Sequence, residues 1–201
     1  MKRIEIIVLL VFLNALVVFG QQSTYVLTIN TPDKIEDTSV EWGQSEIRGV
    51  NRQEGNNGQN IYIHAMAWTW DGIPGINRGL IKFDLDQLPA NSEIVKAELS
   101  LYHYEIEDKC WPMSNLSGSN AVYVQRITSD WVEDEVTWNT QPTTTIENQV
   151  ILPGSSSRTQ DYLDIDVTEL VNQIVVSGEN YGFMLQLATE EYYRCMIFCS
   201  S

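Results

Sequence analysis

The chain has 201 residues, with 12 Lys plus Arg set against 27 Asp plus Glu, for a formal net charge of −15 at pH 7. That balance argues against nucleic acid and anionic lipid as partners, since both are bound through a basic surface that displaces counterions. It also weighs against a polyanionic ligand unless cations bridge or basic residues cluster locally, while the length fits one domain with a full hydrophobic core.

The first segment, "MKRIEIIVLLVFLNALVVFGQQS", has the form of a targeting signal. Lys2 and Arg3 make a positive end, an apolar run extends from Ile6 to Phe19, and Val18 and Gly20 are small enough for cleavage before Gln21. The expected organisation is a signal peptide at 1–20 and a single domain at 21–201, with an uncleaved membrane anchor as the alternative. Loss of Lys2, Arg3 and Glu5 with the signal carries the formal charge from −15 to −16. No cysteine stands at the junction, so a lipoprotein anchor is not expected. The product is expected to be secreted, free or held at the cell surface, with no membrane contact of its own.

From residue 24 onward short alternating runs are separated by turn residues. "TYVLTIN" puts Tyr25, Leu27 and Ile29 on one face. The turn cluster "EGNNGQN" precedes "IYIHAMAWTW", and "GLIKFDL" sets Ile81, Phe83 and Leu85 against Lys82 and Asp84. After the polar connection "LPANSEI", the run "VKAELSLYHYEI" alternates again, followed by "NAVYVQRI", "ENQVILP", "YLDID", "YGFMLQLA" and "CMIFCS". Such repeats predict antiparallel strands in a sandwich or barrel.

One segment changes period. In "DVTELVNQIVVSG", Val167, Leu170, Val171, Ile174 and Val175 recur at helical spacing, Asp166 and Glu169 supply a capping pattern, and Gly178 supplies a stop. The prediction is one short amphipathic helix at about 167–176, plugging an end of an all-β fold.

Catalytic signatures are sparse. The only histidines, His64 and His103, lie outside any G-x-S-x-G or cysteine-protease context and are expected to be satisfied structural or surface histidines. "GNNG" lacks the helix and lysine of a phosphate loop. Asp84 with Asp86, and Asp164 with Asp166, are i, i+2 pairs that would share a strand face. Such pairs suit a structural calcium ion, with Asp84 and Asp86 the metal candidates, or acid–base work on a glycosidic bond. The plainer reading is alternating Asp on a half-exposed strand, and "DWVEDEV" reads as a solvated acidic turn. Cys110, Cys195 and Cys199 allow one intramolecular bridge at most. Cys195 and Cys199 lie four apart on an expected strand, roughly 13 Å, too far to pair with each other. A bridge from Cys110 to either stays open.

The tryptophans divide by context. Trp131 and Trp138 bracket the acidic turn and are expected to pack. Trp68, Trp70 and Trp111 adjoin loop residues, and Trp42 before Gly43 is a weaker case. If "IYIHAMAWTW" alternates, Tyr62, His64, Met66, Trp68 and Trp70 share one side, and Ile61, Ile63, Ala65 and Ala67 the other. The small side suits tight packing, which would turn the aromatic row outward as a platform for sugar rings. Arg78, joined to that row by "DGIPGIN", offers a planar group for hydroxyls or pairs with an acidic neighbour. The carbohydrate-binding candidates are therefore Trp68, Trp70, Arg78 and Trp111.

Three blocks in this order, "RGLIKFDLDQLPANSEIVKAELSLY", "VYVQRITSDWVEDEVTWNTQP" and "DVTELVNQIVVSGENYGFML", resemble the DNRLRE-type domain. That domain is also classed as carbohydrate-binding module family 96 and is similar to domains associated with disaggregatase. The resemblance covers about residues 25–199. It implies a jelly-roll-like antiparallel β-sandwich, secretion or surface display, and non-catalytic polysaccharide binding, with an acidic algal polymer such as alginate among the ligands. Family members continue past "MIFCSS" with a further strand, so the sandwich is expected to lack the family's last strand. The resemblance supplies no binding motif, and the candidate residues rest on their chemistry alone.

The expected function is a secreted carbohydrate-binding module, not an enzyme, with no cofactor beyond a structural calcium ion. Its partners would be polysaccharide and a companion enzyme or surface protein. The alternative is a structural or adhesive surface domain in which the aromatics are core.

Overall fold

Alternation of apolar and polar residues sets the strands, and the computed structural model describes residues 5–12, 23–45, 49–89, 92–105 and 113–201. In chain order the strands are β1 (Glu5–Phe12), β2 (Ser23–Ile29), β3 (Ile35–Ser45), β4 (Val50–Asn51), β5 (Tyr62–Trp70) and β6 (Ile73–Phe83). There follow β7 (Glu93–Leu101), β8 (Val122–Ile127), β9 (Thr144–Leu152), β10 (Tyr162–Asp166), helix α1 (Thr168–Ser177), β11 (Phe183–Leu187) and β12 (Arg194–Cys199).

These strands make an all-β sandwich. One sheet has the order β10-β7-β1-β2. The larger runs β12-β5-β6-β11-β8-β9, with β3 paired to β6 and β4. Every pairing is antiparallel. The main core lies between the sheets: Leu27, Leu99 and Leu101 from the smaller meet Ile63, Phe83, Val124, Phe183 and Phe198 from the larger. Burial of so many aliphatic and aromatic side chains is the main stabilising term.

Helix α1 completes the core with Leu170, Val171 and Ile174. It starts one residue later than its pattern predicts, because Asp166 Oδ1 accepts from the Thr168 amide at 3.0 Å and from its hydroxyl at 2.6 Å. Gly178 ends the helix as expected, at φ 70, with its N–H bonded to the Ile174 carbonyl.

Two departures concern polar residues. Strand β3 is absent from the periodicity because Asp37, Thr38 and Ser39 are buried although they read as surface. The acidic turn is only partly solvated, since Glu133 Oε1 accepts the Asp37 amide at 3.0 Å and burial pushes the Glu133 carboxyl upward. Strand β1 lies inside the segment expected to be a targeting signal and is paired on both edges, with β2 and β7. Among the described residues no helix is long and apolar enough to cross a membrane.

Candidate functional site

Strand β5 carries two different faces. Ile63, Ala65 and Ala67 are fully buried in the main core, so the small side is the inner one. The other side builds a separate cluster in which Met66, Cys195 and Ile197 form a floor beneath half-buried Tyr62, Trp68, Trp70 and Tyr104. Pairing of β5 with β12, Met66 opposite Cys195 and His64 opposite Ile197, makes that floor continuous. Small residues inside and large aromatics outside follow from one alternating run.

Each ring is positioned by something specific. Trp68 meets Tyr193 edge to face at 5.3 Å, a favoured aromatic geometry. Tyr193 is 44% exposed and sits at φ 73, a left-handed conformation costly for a bulky residue. Three bonds hold it there: its N–H to the Ala67 carbonyl, its carbonyl to the Ser114 hydroxyl, and its phenol oxygen to Thr69 Oγ1. Strain of this kind persists only where the surroundings impose it. Tyr62 packs on Tyr104 with centroids 5.2 Å apart.

Trp70 is more confined. A Cβ on Gly75 would lie 2.2 Å from its Cζ3, so the absence of a side chain at 75 lets the indole lie against β6. The Arg52 guanidinium stacks 4.8 Å from the ring centroid and reaches Glu41 Oε1 at 2.6 Å.

The remaining candidates stand elsewhere. Arg78 is not part of this cluster. It makes a two-point pair with Glu190, Nε to Oε1 at 2.8 Å and Nη2 to Oε2 at 3.0 Å, and stacks 4.6 Å from the Trp138 ring centroid. Trp111 and Cys110 lie outside the described residues. Trp131 packs as expected, with its Nε1–H donating to the Tyr181 carbonyl at 2.8 Å.

Asp84 and Asp86 line a cleft of about 470 Å³ together with Lys34, Glu36, Lys82 and Glu133. Asp84 has both oxygens engaged, Oδ2 with Lys34 Nζ at 2.6 Å and Oδ1 with the Asp86 amide at 2.9 Å. The Lys34 bond, then the amide, hold its carboxyl below the usual range. Among the described residues no three His, Cys, Asp or Glu come together as a metal-binding group. Asp164 sits at an irregularity of β10 with φ 54, and Asp166 is taken by Thr168.

His64 is structural as expected: its Nδ1 lies 3.1 Å from the Ser39 hydroxyl, and burial pushes its pKa down to about 4. His103 is fixed by Asp161, Nδ1 to Oδ1 at 2.6 Å.

Sequence periodicity finds Trp68 and Trp70 but misses Tyr193 and Tyr104. The doublet in "EEYYRC" ahead of β12 is the one available signal for the former, since a left-handed backbone leaves no mark in the pattern. The cluster is a partly open aromatic surface with the Thr69 and Tyr193 hydroxyls at its margin. It offers stacking on apolar C–H faces.

No curated protein is a detectable relative of this chain. The model of one family matches residues 47–200, more than half of the sequence, and the chain belongs to that family, carbohydrate-binding module family 96.

Proposed function

We propose that the protein is an exported, non-catalytic module that binds a neutral polysaccharide across the aromatic face of β5 and β12, with Trp68 and Tyr193 as its principal contacts. The observation that carries this reading is Tyr193 itself, an exposed tyrosine held at φ 73 so that its ring meets Trp68. Rigid rings on a shallow surface stack on sugars at little ordering cost and give modest affinity, which suits a module that works by holding a partner near polymer. Neutrality of the ligand is supported by the neighbouring cations, because Arg52 and Arg194 are each paired with a carboxylate, Glu41 and Glu191.

The test is affinity electrophoresis through neutral and acidic polysaccharides, comparing the wild type with Trp68→Ala and Tyr193→Ala. Retardation by a neutral polymer, lost in both variants while their thermal unfolding stays cooperative, is the expected result. Wild-type mobility unchanged in every polymer would overturn the reading and leave a structural or adhesive domain in its place.

A further inference from the structure

Glutamines from three neighbouring strands meet on the face of the larger sheet that turns away from the main core. Gln125 of β8, only 3% exposed, alternates with the core residues Val122 and Val124. Its Nε2 donates to Oε1 of Gln149 on β9 at 2.7 Å. Its Oε1 accepts from Nε2 of Gln186 on β11 at 3.0 Å and from the Thr144 hydroxyl at 3.0 Å. The buried amide therefore fixes two half-buried ones. That leaves the Gln149 NH2 group and the Gln186 carbonyl oxygen for water or a ligand.

The row continues beyond β11. Leu185 is paired with Gly79, which sets Arg78 of β6 beside Gln186, and Tyr123 is directly opposite Gln186 on β8. Arg78 is itself immobilised by Glu190, by Gln141 Oε1 at 3.0 Å and by Trp138. Four adjacent strands thus carry a track Gln149–Gln125–Gln186–Arg78, roughly 14 Å from end to end at ordinary strand spacing. Ordering three glutamines and an arginine costs rotamer entropy that a surface needed only for solubility has no reason to incur. Interlocked amides of this kind are rigid, and the row as a whole presents a donor on Gln149 and an acceptor on Gln186.

We infer that this track is a second recognition face, which binds the hydroxyls of a neutral saccharide independently of the aromatic cluster. Hydroxyls match it because they too donate and accept, whereas a carboxylate or phosphate finds no unpaired cation in the row and meets Glu190. The inference rests on the carbohydrate-binding reading but uses different residues, so the two can fail separately.

Glutamine side-chain NH2 and tryptophan indole N–H signals are both resolved in a 1H–15N correlation spectrum. The probes are laminarihexaose, cellohexaose and mannohexaose as neutral chains, and an alginate hexamer as the acidic one. At least one neutral probe is expected to shift the NH2 signals of Gln149 and Gln186, with the Gln186 shift lost in Gln149→Ala and the Gln149 shift lost in Gln186→Ala. Gln149→Glu, which keeps the Oε1 that accepts from Gln125, guards against misfolding and should weaken the Gln186 response at least tenfold. Shifts confined to the Trp68 and Trp70 indoles would overturn the track and leave the aromatic face standing. Glutamine shifts without indole shifts would support the track and overturn the aromatic face. A response to alginate alone would overturn the neutral assignment, and silence from all four probes would overturn both sites.

Discussion

The Ser39 hydroxyl lies 3.1 Å from Nδ1 of His64, and neither residue is open to water, at 0% and 6% exposure. Burial pushes the His64 pKa down from 6.5 to about 4. The unfolded chain then takes up a proton near pH 6.5 that the folded chain refuses until about pH 4. The contribution of neutral His64 is fully present above pH 6.5 and is lost as pH falls through that window, to a total of roughly 3 kcal/mol. Urea midpoints at pH 7.5, 5.5 and 4 should fall steadily, and His64→Gln should flatten the upper part of the curve. A wild-type midpoint level between pH 7.5 and 4.5 would contradict the assignment.

Gly75 is required by its contact with Trp70. In Gly75→Ala the new Cβ would stand 2.2 Å from Cζ3 of the indole, so the ring must leave its place and with it the Arg52 stack. Overpacking of this kind costs about 1–3 kcal/mol. A lower melting temperature and a red-shifted tryptophan emission are expected. Unchanged values for both would mean that the ring is not held against β6.

Removal of the N-terminal segment bears on the smaller sheet. β1 is bonded to β2 along Ile6–Phe12 and to β7 along Glu5–Val11. A chain beginning at Gln21 lacks β1, and the facing edges of β2 and β7 lose their ladders. Open edges of that length invite pairing with other chains. Residues 21–201 are expected to melt earlier than the full chain and to self-associate as concentration rises, both read by calorimetry and sedimentation. Equal stability with a strictly monomeric product would show that β2 closes directly on β7.

Millimolar calcium is expected to leave the melting temperature unchanged, because a calcium ion at Asp84 would have to displace Lys34 and the Asp86 amide. A rise on adding calcium, reversed by a chelator and absent in Asp84→Asn, would reinstate the Asp84 and Asp86 pair as a metal site.

Legibility followed the range of the interactions. Strand β5 can be read because Ile63, Ala65 and Ala67 announce an inner face within a few residues of chain. The helix can be read because Asp166 and Gly178 act locally at its two ends. Strand β3 cannot, because what makes Asp37 and Ser39 tolerable inside the fold comes from Glu133, Ser201 and His64, between 25 and 164 positions away. The same holds for the site. Trp68 and Trp70 show in the period, whereas Tyr193 meets Thr69 between them from 124 residues away, and the partner of Arg78 lies 112 away. No period encodes which strands become neighbours.

Lys34, Arg52, Arg78, Lys82, Lys96 and Arg194 are each matched to a carboxylate. The carboxylates left over set the field that the molecule presents to its surroundings. In dilute buffer that field repels other copies and any acidic matrix. At physiological ionic strength it reaches only ~8 Å into solution, and in concentrated brine less still. Binding as proposed, through ring faces and amides, is expected to hold as salt is added, where binding through arginine and lysine weakens.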